Sequence, residues 1–315
     1  MTDSTQPDST QPDSALPDAT VVVPAGIPPA EVDIDEALVR SLLRAQHPDL
    51  SDLPVQLVAT GWDNATYRLG ERLAVRLPRI EAAVGLLRNE QTWLPRLAPD
   101  LPVPVPAPVR VGEPGPDFPW PWSIVPWVAG RSAEHESLAP DQAAPFGRFL
   151  AAVHRPAPDG FPRNDYRGVP MADVSDRVDE RLRRLSTRDA APSAAVRERW
   201  RAALAAPTDT PDTCVHGDLH PKNIVVDSGR LAAVLDWGDM TAGDRAVDLG
   251  AVWMLFPTEA HEQVWRSYGP VSEPTMHRAI GWAIFFGLTL LDVGLENDPP
   301  FAEIGRRTLA RIEAT

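Results

Sequence analysis

Lysine is almost missing from this 315-residue chain: of 30 basic residues, only Lys222 is lysine and the rest are arginine. A GC-rich genome is the ordinary cause of that bias. Cysteine is equally scarce. Cys214 is the sole one, which excludes an intrachain disulfide and fits a reducing, cytoplasmic setting. Long apolar runs are absent too. The strongest, Ala279–Leu291, spans 13 residues and stops at Asp292. A membrane span needs roughly 18 or more, so a buried helix and no membrane are expected. The first residues lack the apolar core of a signal peptide. No basic residue precedes Arg40, against eight carboxylates: Asp3, Asp8, Asp13, Asp18, Glu31, Asp33, Asp35 and Glu36. They take up more than half of the formal net charge of −14 and leave about −6 for the remainder. Nucleic acid is a poor partner for such a chain, because phosphate backbones need a dense positive surface. A cationic small substrate is electrostatically favoured.

With 43% hydrophobic and 23% charged residues, the rest reads as a globular protein. Residues 3–17 repeat an Asp/Ser/Pro-rich pentad, which cannot bury enough surface to offset ordering entropy. Residues 1–28 are therefore expected to be a disordered acidic tail. A short helix is predicted over Ile34–Gln46. Strands follow at Val55–Thr60, Ala65–Leu69 and Leu73–Leu77, between Gly and charged turns. A helix over Ala82–Leu97 carries Pro95, a signal for an early end. Leu101–Pro108 alternates with proline and reads as extended, and Trp122–Val128 as a strand. From Ala139 the pattern turns helical, with Phe146, Phe149, Leu150 and Val153 on one face of Asp141–His154. The expected fold is α+β: an N-terminal lobe over 29–127 with a small antiparallel sheet, and a larger, mainly helical lobe over 128–315. A cleft between such lobes is a common ligand site.

The chemistry lies in His216-Gly217-Asp218-Leu219-His220-Pro221-Lys222-Asn223, followed by Asp236-Trp237-Gly238. Phosphoryl transfer needs a carboxylate to orient the attacking hydroxyl and oxygen ligands to hold Mg²⁺ against the phosphates. These must sit on rigid, adjacent backbone. Asp218 and Asn223 share one loop, and a hairpin through Ser228-Gly229 would return Asp236 beside Asn223.

The pattern H-x-D-L-x-x-x-N…D-x-G is the kinase signature, with Gly217 in place of arginine and Trp237 in place of phenylalanine. With Gly243-Asp244…Asp248, the Trp-rich run Phe118–Trp122 and the Gly281–Gly294 helix, the chain resembles the aminoglycoside phosphotransferase and choline kinase group over roughly residues 50–310. The resemblance implies a bilobal protein-kinase-like fold and an O-kinase that uses ATP or GTP with Mg²⁺. Asp218 would be the catalytic base, Asn223 and Asp236 the metal ligands, and His216 and Asp248 structural braces. Pro126 and Val128 would meet the nucleobase, the former through its carbonyl and the latter through its N–H. Two departures stand out. The Gly-rich phosphate loop is reduced to Gly61-Trp62-Asp63-Asn64, where Asn64 would reach a phosphate. The strand lysine is replaced by Arg76, whose fork also suits phosphate, with Glu90 as its partner.

The acceptor is expected to be a small hydroxylated molecule. An antibiotic, with resistance as its consequence, is one reading; an amino alcohol, sugar or amino acid is the metabolic alternative. A nucleotide-binding pseudokinase is the non-enzymatic alternative, and nothing marks a protein partner. His216, Asp218 and His220 form an H-x-D-x-H grouping open to a metal reading, but no further ligand spacing follows. Cys214 reads as buried filler, Lys222 as solvent-facing, and His154 as a helix end. Trp62, Trp93, Trp253 and Trp282 read as core or lobe contacts. Asp173, Asp176, Asp179 and Glu180 alternate with Arg177, Arg181, Arg183 and Arg184, which predicts a salt-bridged solvent face. Glu296 and Asp298 have a similar standing.

Overall fold

The structure is a computed structural model and describes residues 28–315. The expected acidic tail lies outside these residues except for Pro28, whose carbonyl accepts from Arg79 Nη2 at 3.1 Å. Helix α1, Glu36–Gln46, begins where the Asp35 carboxylate takes the Leu38 N–H at 2.8 Å, a side-chain cap for an otherwise orphaned donor. Three strands follow: β1 Val55–Thr60, β2 Asn64–Leu69 and β3 Leu73–Pro78. Helix α2, Ala83–Leu97, runs through Pro95 instead of stopping before it. A proline in the last turn deletes one donor, and buried Leu94 and Leu97 hold that turn in place. Strands β4 Arg110–Gly112 and β5 Trp122–Pro126 complete an antiparallel sheet in the order β1-β2-β3-β5-β4. β5 ends at Pro126, short of the predicted Val128, at a residue with no N–H for the ladder. Leu43, Leu69, Leu77, Phe118 and Trp122 are fully buried in the core behind this sheet.

The remainder is mainly helical around a second core. β6 Arg131–Ser132 leads to α3 Ala143–Val153, α4 Ser175–Thr187 and α5 Ala194–Ala205. Then come β7 Thr213–Val215, β8 Ile224–Asp227, β9 Arg230–Val234 and β10 Thr241–Gly243. Helices α6 Ala246–Leu249, α7 Ala251–Leu255, α8 His261–Tyr268, α9 Glu273–Asn297 and α10 Pro299–Glu313 finish the chain. The predicted face of α3 is buried throughout. The Leu101–Pro108 segment runs along β9, with the Val234 N–H donating to the Pro104 carbonyl at 3.1 Å.

The Ala279–Leu291 run is the middle of α9, which is longer than the run suggested. By length and apolarity this helix could cross a membrane, but 78% of its apolar window is buried inside the fold. It pairs with α10 at very short range: a Cβ on Gly305 would lie 2.5 Å from the Leu291 backbone nitrogen, so only glycine fits. Trp253 and Trp282 are buried as expected, and Trp93 packs on the second core. Trp62 differs, being 59% exposed. The guanidinium of Arg79 grips the carbonyls of Gly61 and Trp62, which fixes the turn and leaves the indole outside.

Phe146 is fully buried beside Phe149 and Phe256. Its replacement by alanine is expected to cost about 3–5 kcal/mol, read as a lower denaturation midpoint at unchanged m-value.

Candidate active site

Two short sheets deliver the motif. β7 pairs with β10 and ends at Val215, directly before His216. β8 and β9 form the expected hairpin, which returns the chain to Asp236 and leaves the Leu235 N–H donating to the Asn223 carbonyl at 2.8 Å. Asp236 has φ 59°, a left-handed conformation that aspartate tolerates better than most side chains. Gly217 has φ 87°, and a Cβ there would meet the Asp239 carbonyl at 2.7 Å. This is the physical reason for glycine at that position.

The loop is pinned from behind. Asp248 is fully buried and accepts from the His216 N–H at 2.7 Å and the Gly217 N–H at 2.8 Å. The His216 ring donates from Nε2 to the Leu235 carbonyl at 2.9 Å and accepts the Asp218 N–H on Nδ1 at 3.2 Å. Its tautomer is thereby fixed. His154 does end α3, and it does more: Nε2 meets Asp248 at 3.1 Å and Nδ1 meets the Tyr268 hydroxyl at 2.9 Å.

Asp218 is held from two sides. Arg167 Nη2 lies 2.8 Å from its Oδ1, and His220 Nε2 lies 3.3 Å from its Oδ2. Burial pushes the Asp218 pKa up, but Arg167, followed by His220 and His216, outweighs it and holds the carboxyl well below the ordinary range. Asn223 donates Nδ2 to the backbone and side chain of Asp218 at 2.9 and 3.3 Å, which turns its amide oxygen the other way. With Asp236, this gives two hard oxygen donors of the kind Mg²⁺ takes alongside phosphate oxygens. His220 is engaged on Asp218, and among the described residues no group of three or more His, Cys, Asp or Glu is arranged to hold a metal.

On the cleft wall, Arg76 is largely buried, with Nη1 2.6 Å from Glu90 Oε2 and Nη2 3.5 Å from Asp236 Oδ1. The other Glu90 oxygen accepts the Trp237 N–H at 2.9 Å. One buried carboxylate thus joins β3, α2 and the Asp-Trp-Gly turn. Burial lowers the Arg76 pKa, but Glu90 and Asp236 more than compensate and keep the guanidinium charged.

The cleft itself has a volume of about 290 Å³. Ala74, Val125, Val225 and Leu235 give it apolar walls, and Pro126, Trp127 and Val128 line its back edge. Leu73 and Pro126 face each other in register, with the Trp127 N–H bonded to the Arg72 carbonyl. That is the non-hydrogen-bonded type of antiparallel pair, so the Pro126 carbonyl points away from β3. Arg76, Asn223 and Asp236 line the opposite part, and Lys222 joins them. Lys222 therefore does not simply face solvent; its Nζ sits 4.8 Å from the Phe301 ring centroid.

Asn64 is not brought to the cleft wall. It opens β2, with Oδ1 buried and unpartnered. The neighbouring Asp63 is the group that feels the site. Burial, then Asp236 and Asp239, push its pKa up to about 6, against Arg76. Sequence reading also missed Arg167, which lies 51 residues before Asp218 and belongs to no spacing pattern.

The fold defines a two-lobed, kinase-like protein. The model of the phosphotransferase enzyme family matches residues 54–282, and the chain belongs to that family. No curated protein sequence matches it significantly. Among solved structures it is similar to the GDP complex of wild-type aminoglycoside 2'-phosphotransferase-IIIa, with a TM-score of 0.65 at 17% identity, covering 89% of this chain and 99% of that one. It is also similar to the apoenzyme of macrolide 2'-phosphotransferase MphH from Brachybacterium faecium, with a TM-score of 0.59 at 23% identity, covering 88% and 98%.

A raised carboxylate pKa means that the folded chain binds extra protons between the unfolded and folded values, so stability falls as pH rises through that window. Asp63→Asn removes this loss. The variant is expected to melt a few degrees above the wild type at pH 8 without nucleotide, with the difference vanishing near pH 4. An equal difference at both pH values would contradict the assignment.

Proposed function

We propose that the protein transfers the γ-phosphoryl group of ATP or GTP, with Mg²⁺, to a hydroxyl of a small molecule. The observation that carries this is a cleft lined by Arg76, Asn223 and Asp236, with Asp218 hydrogen-bonded to the Asn223 amide beside it. Asp218 receives the acceptor's proton as its oxygen forms the new bond to phosphorus. The bond from phosphorus to the bridging oxygen breaks, and its electron pair leaves on the nucleoside diphosphate. Asn223 and Asp236 are the residues that would hold Mg²⁺, which supplies positive charge against the phosphate oxygens. Asp218 stays ionised at neutral pH beside Arg167, the state a proton acceptor needs. The Pro126 carbonyl and Val128 N–H form the nucleobase edge, near the junction of lobes at 127/128. His216 and Asp248 act as braces.

The GDP complexes of the similar aminoglycoside enzymes support a nucleotide in this cleft. An antibiotic acceptor is supported by the kanamycin complex of one of them and by the macrolide enzyme. A cytoplasmic location follows from the same reading, since the cytoplasm supplies the nucleotide. The metabolic alternative is favoured by Arg177 and Arg181, which have no carboxylate partner among the described residues.

The test is thermal unfolding with Mg-ATP or Mg-GTP, because a ligand that binds only the folded state raises the midpoint. A Mg-dependent rise is expected for wild type and not for Asp236→Ala. Arg76→Ala is expected to raise the Michaelis constant for nucleotide at least tenfold. A folded chain with no shift from either nucleotide would end the kinase reading.

A further inference from the structure

Of Asp173, Asp176, Asp179 and Glu180, only Glu180 pairs with an arginine of α4, lying 3.7 Å from Arg184. Arg184 meets Asp292 at 2.5 Å, and Arg188 meets Glu296 at 2.5 Å. Asp298 caps α10 through the Phe301 N–H. Arg177 and Arg181, four residues apart on one half-buried strip of α4, have no carboxylate within salt-bridge range among the described residues. Like charges at this spacing repel.

These two arginines stack on aromatic rings that lead to the catalytic carboxylate. Arg177 Cζ lies 4.5 Å from the Tyr166 ring centroid, and Arg181 Cζ lies 5.2 Å from that of Phe285. Phe285 and Phe286 are 5.5 Å apart, and Arg167 Cζ lies 5.3 Å from Phe286. Arg167 is the partner of Asp218 and follows Tyr166 in the chain. The Arg181 Nη1 donates weakly to the Arg177 carbonyl at 3.4 Å. The six residues thus form a closed ring of contacts that begins and ends beside Asp218. The Nε atoms of Arg167 and Arg181 are buried without a hydrogen-bond partner, an unfavourable state that an incoming acceptor relieves. Burial, then the charge of Arg184, pulls the Arg181 pKa down, against Asp292, as for a cation lacking its counter-ion. Asp292, the carboxylate that opposes this shift, is held by Arg184 at 2.5 Å, and Asp239, which feels Arg167, is tied to Asn164 Nδ2 at 2.7 Å.

We infer that the acceptor is an alcohol that carries a carboxylate and an apolar or aromatic face, and not a polycation. The guanidinium fork matches a carboxylate in two parallel hydrogen bonds, and the exposed Tyr166 ring offers flat apolar surface for the rest of the molecule. A single carboxylate leaves the patch neutral or positive beside the triphosphate. An ammonium-rich sugar would meet Arg177 and Arg181 with like charge. This inference rests on the kinase reading of the same site.

The experiment is calorimetric titration of the full chain, saturated with Mg-ADP, against mandelate, the neutral 1-phenyl-1,2-ethanediol, the cationic phenylglycinol, and kanamycin. Mandelate is expected to bind at least tenfold more tightly than phenylglycinol, with the neutral diol between them and no kanamycin binding. The Arg177→Glu/Arg181→Glu variant is expected to reverse that order; Arg177→Gln/Arg181→Gln, which is milder on the helix, is expected to abolish it. Retention of the Mg-ADP thermal shift shows that each variant is folded. Mandelate binding no better than phenylglycinol, or tight kanamycin binding, overturns the inference and leaves the kinase reading intact. Failure of Mg-ADP to bind the wild-type chain overturns both.

Discussion

Everything at this site hangs on one buried carboxylate. Asp248 has no access to water, so its charge must be met by hydrogen bonds, or burying it would cost several kcal/mol. Two backbone N–H groups of the catalytic loop and the His154 ring meet it. The requirement works in both directions. The loop N–H groups are buried and need an acceptor, so loop and helix α6 fix one another. Asp248 accepts only, so His154 carries its proton on Nε2 and takes the Tyr268 hydroxyl on Nδ1. Burial, opposed by Arg245, pushes the Tyr268 pKa up to about 12, so the hydroxyl keeps its proton. From α8 through α3 to α6, neutral or satisfied groups hold the backbone from which Asp218 projects.

The front of the loop is the opposite case. Asp63, Asp218, Asp236 and Asp239 converge there, against Arg76 and Arg167. Burial, then Asp218, pushes the Asp239 pKa up, with Arg167 opposing. The front therefore carries more carboxylates than guanidinium groups, and on the kinase proposal a divalent cation would balance them, since it neutralises carboxylates and phosphates together. Back and front are complementary: the back is rigid because it is satisfied, and the front is charged because it awaits ligands.

Sequence pattern revealed the parts of this arrangement that are local. The β8–β9 hairpin and the spacing of Asp218, Asn223 and Asp236 depend on a single turn and a short loop, and both were readable. The first-lobe strands were readable from alternation, and α3 from its apolar face. The Arg76–Glu90 pair was legible from the resemblance, which sets a basic residue of the third strand against a carboxylate of the following helix. What escaped was long-range or depended on turn geometry. Arg167 reaches Asp218 across 51 residues with no periodicity to announce it. Asp63 and Asn64 are neighbours, and only the turn held by Arg79 decides which of them feels the phosphate end. Pro95 misled because its cost depends on its place in the helix, and the end of α2 lies just two residues further on.

Charge shows the same division between local and global. An acidic composition favours a cationic acceptor, but composition says nothing of where the carboxylates lie. A large share lies ahead of Arg40, and others are taken up by Arg184, Arg188 and Arg278. Asp63 and Asp236 belong to the nucleotide side. The acceptor end is left with arginines lying on aromatic rings, a local field opposite in sign to the whole. Net charge governs encounter at distances of about a Debye length, roughly 8 Å at physiological salt. Recognition inside a half-buried patch is decided by the groups within hydrogen-bond reach, and there the guanidinium groups of Arg177 and Arg181 determine what fits.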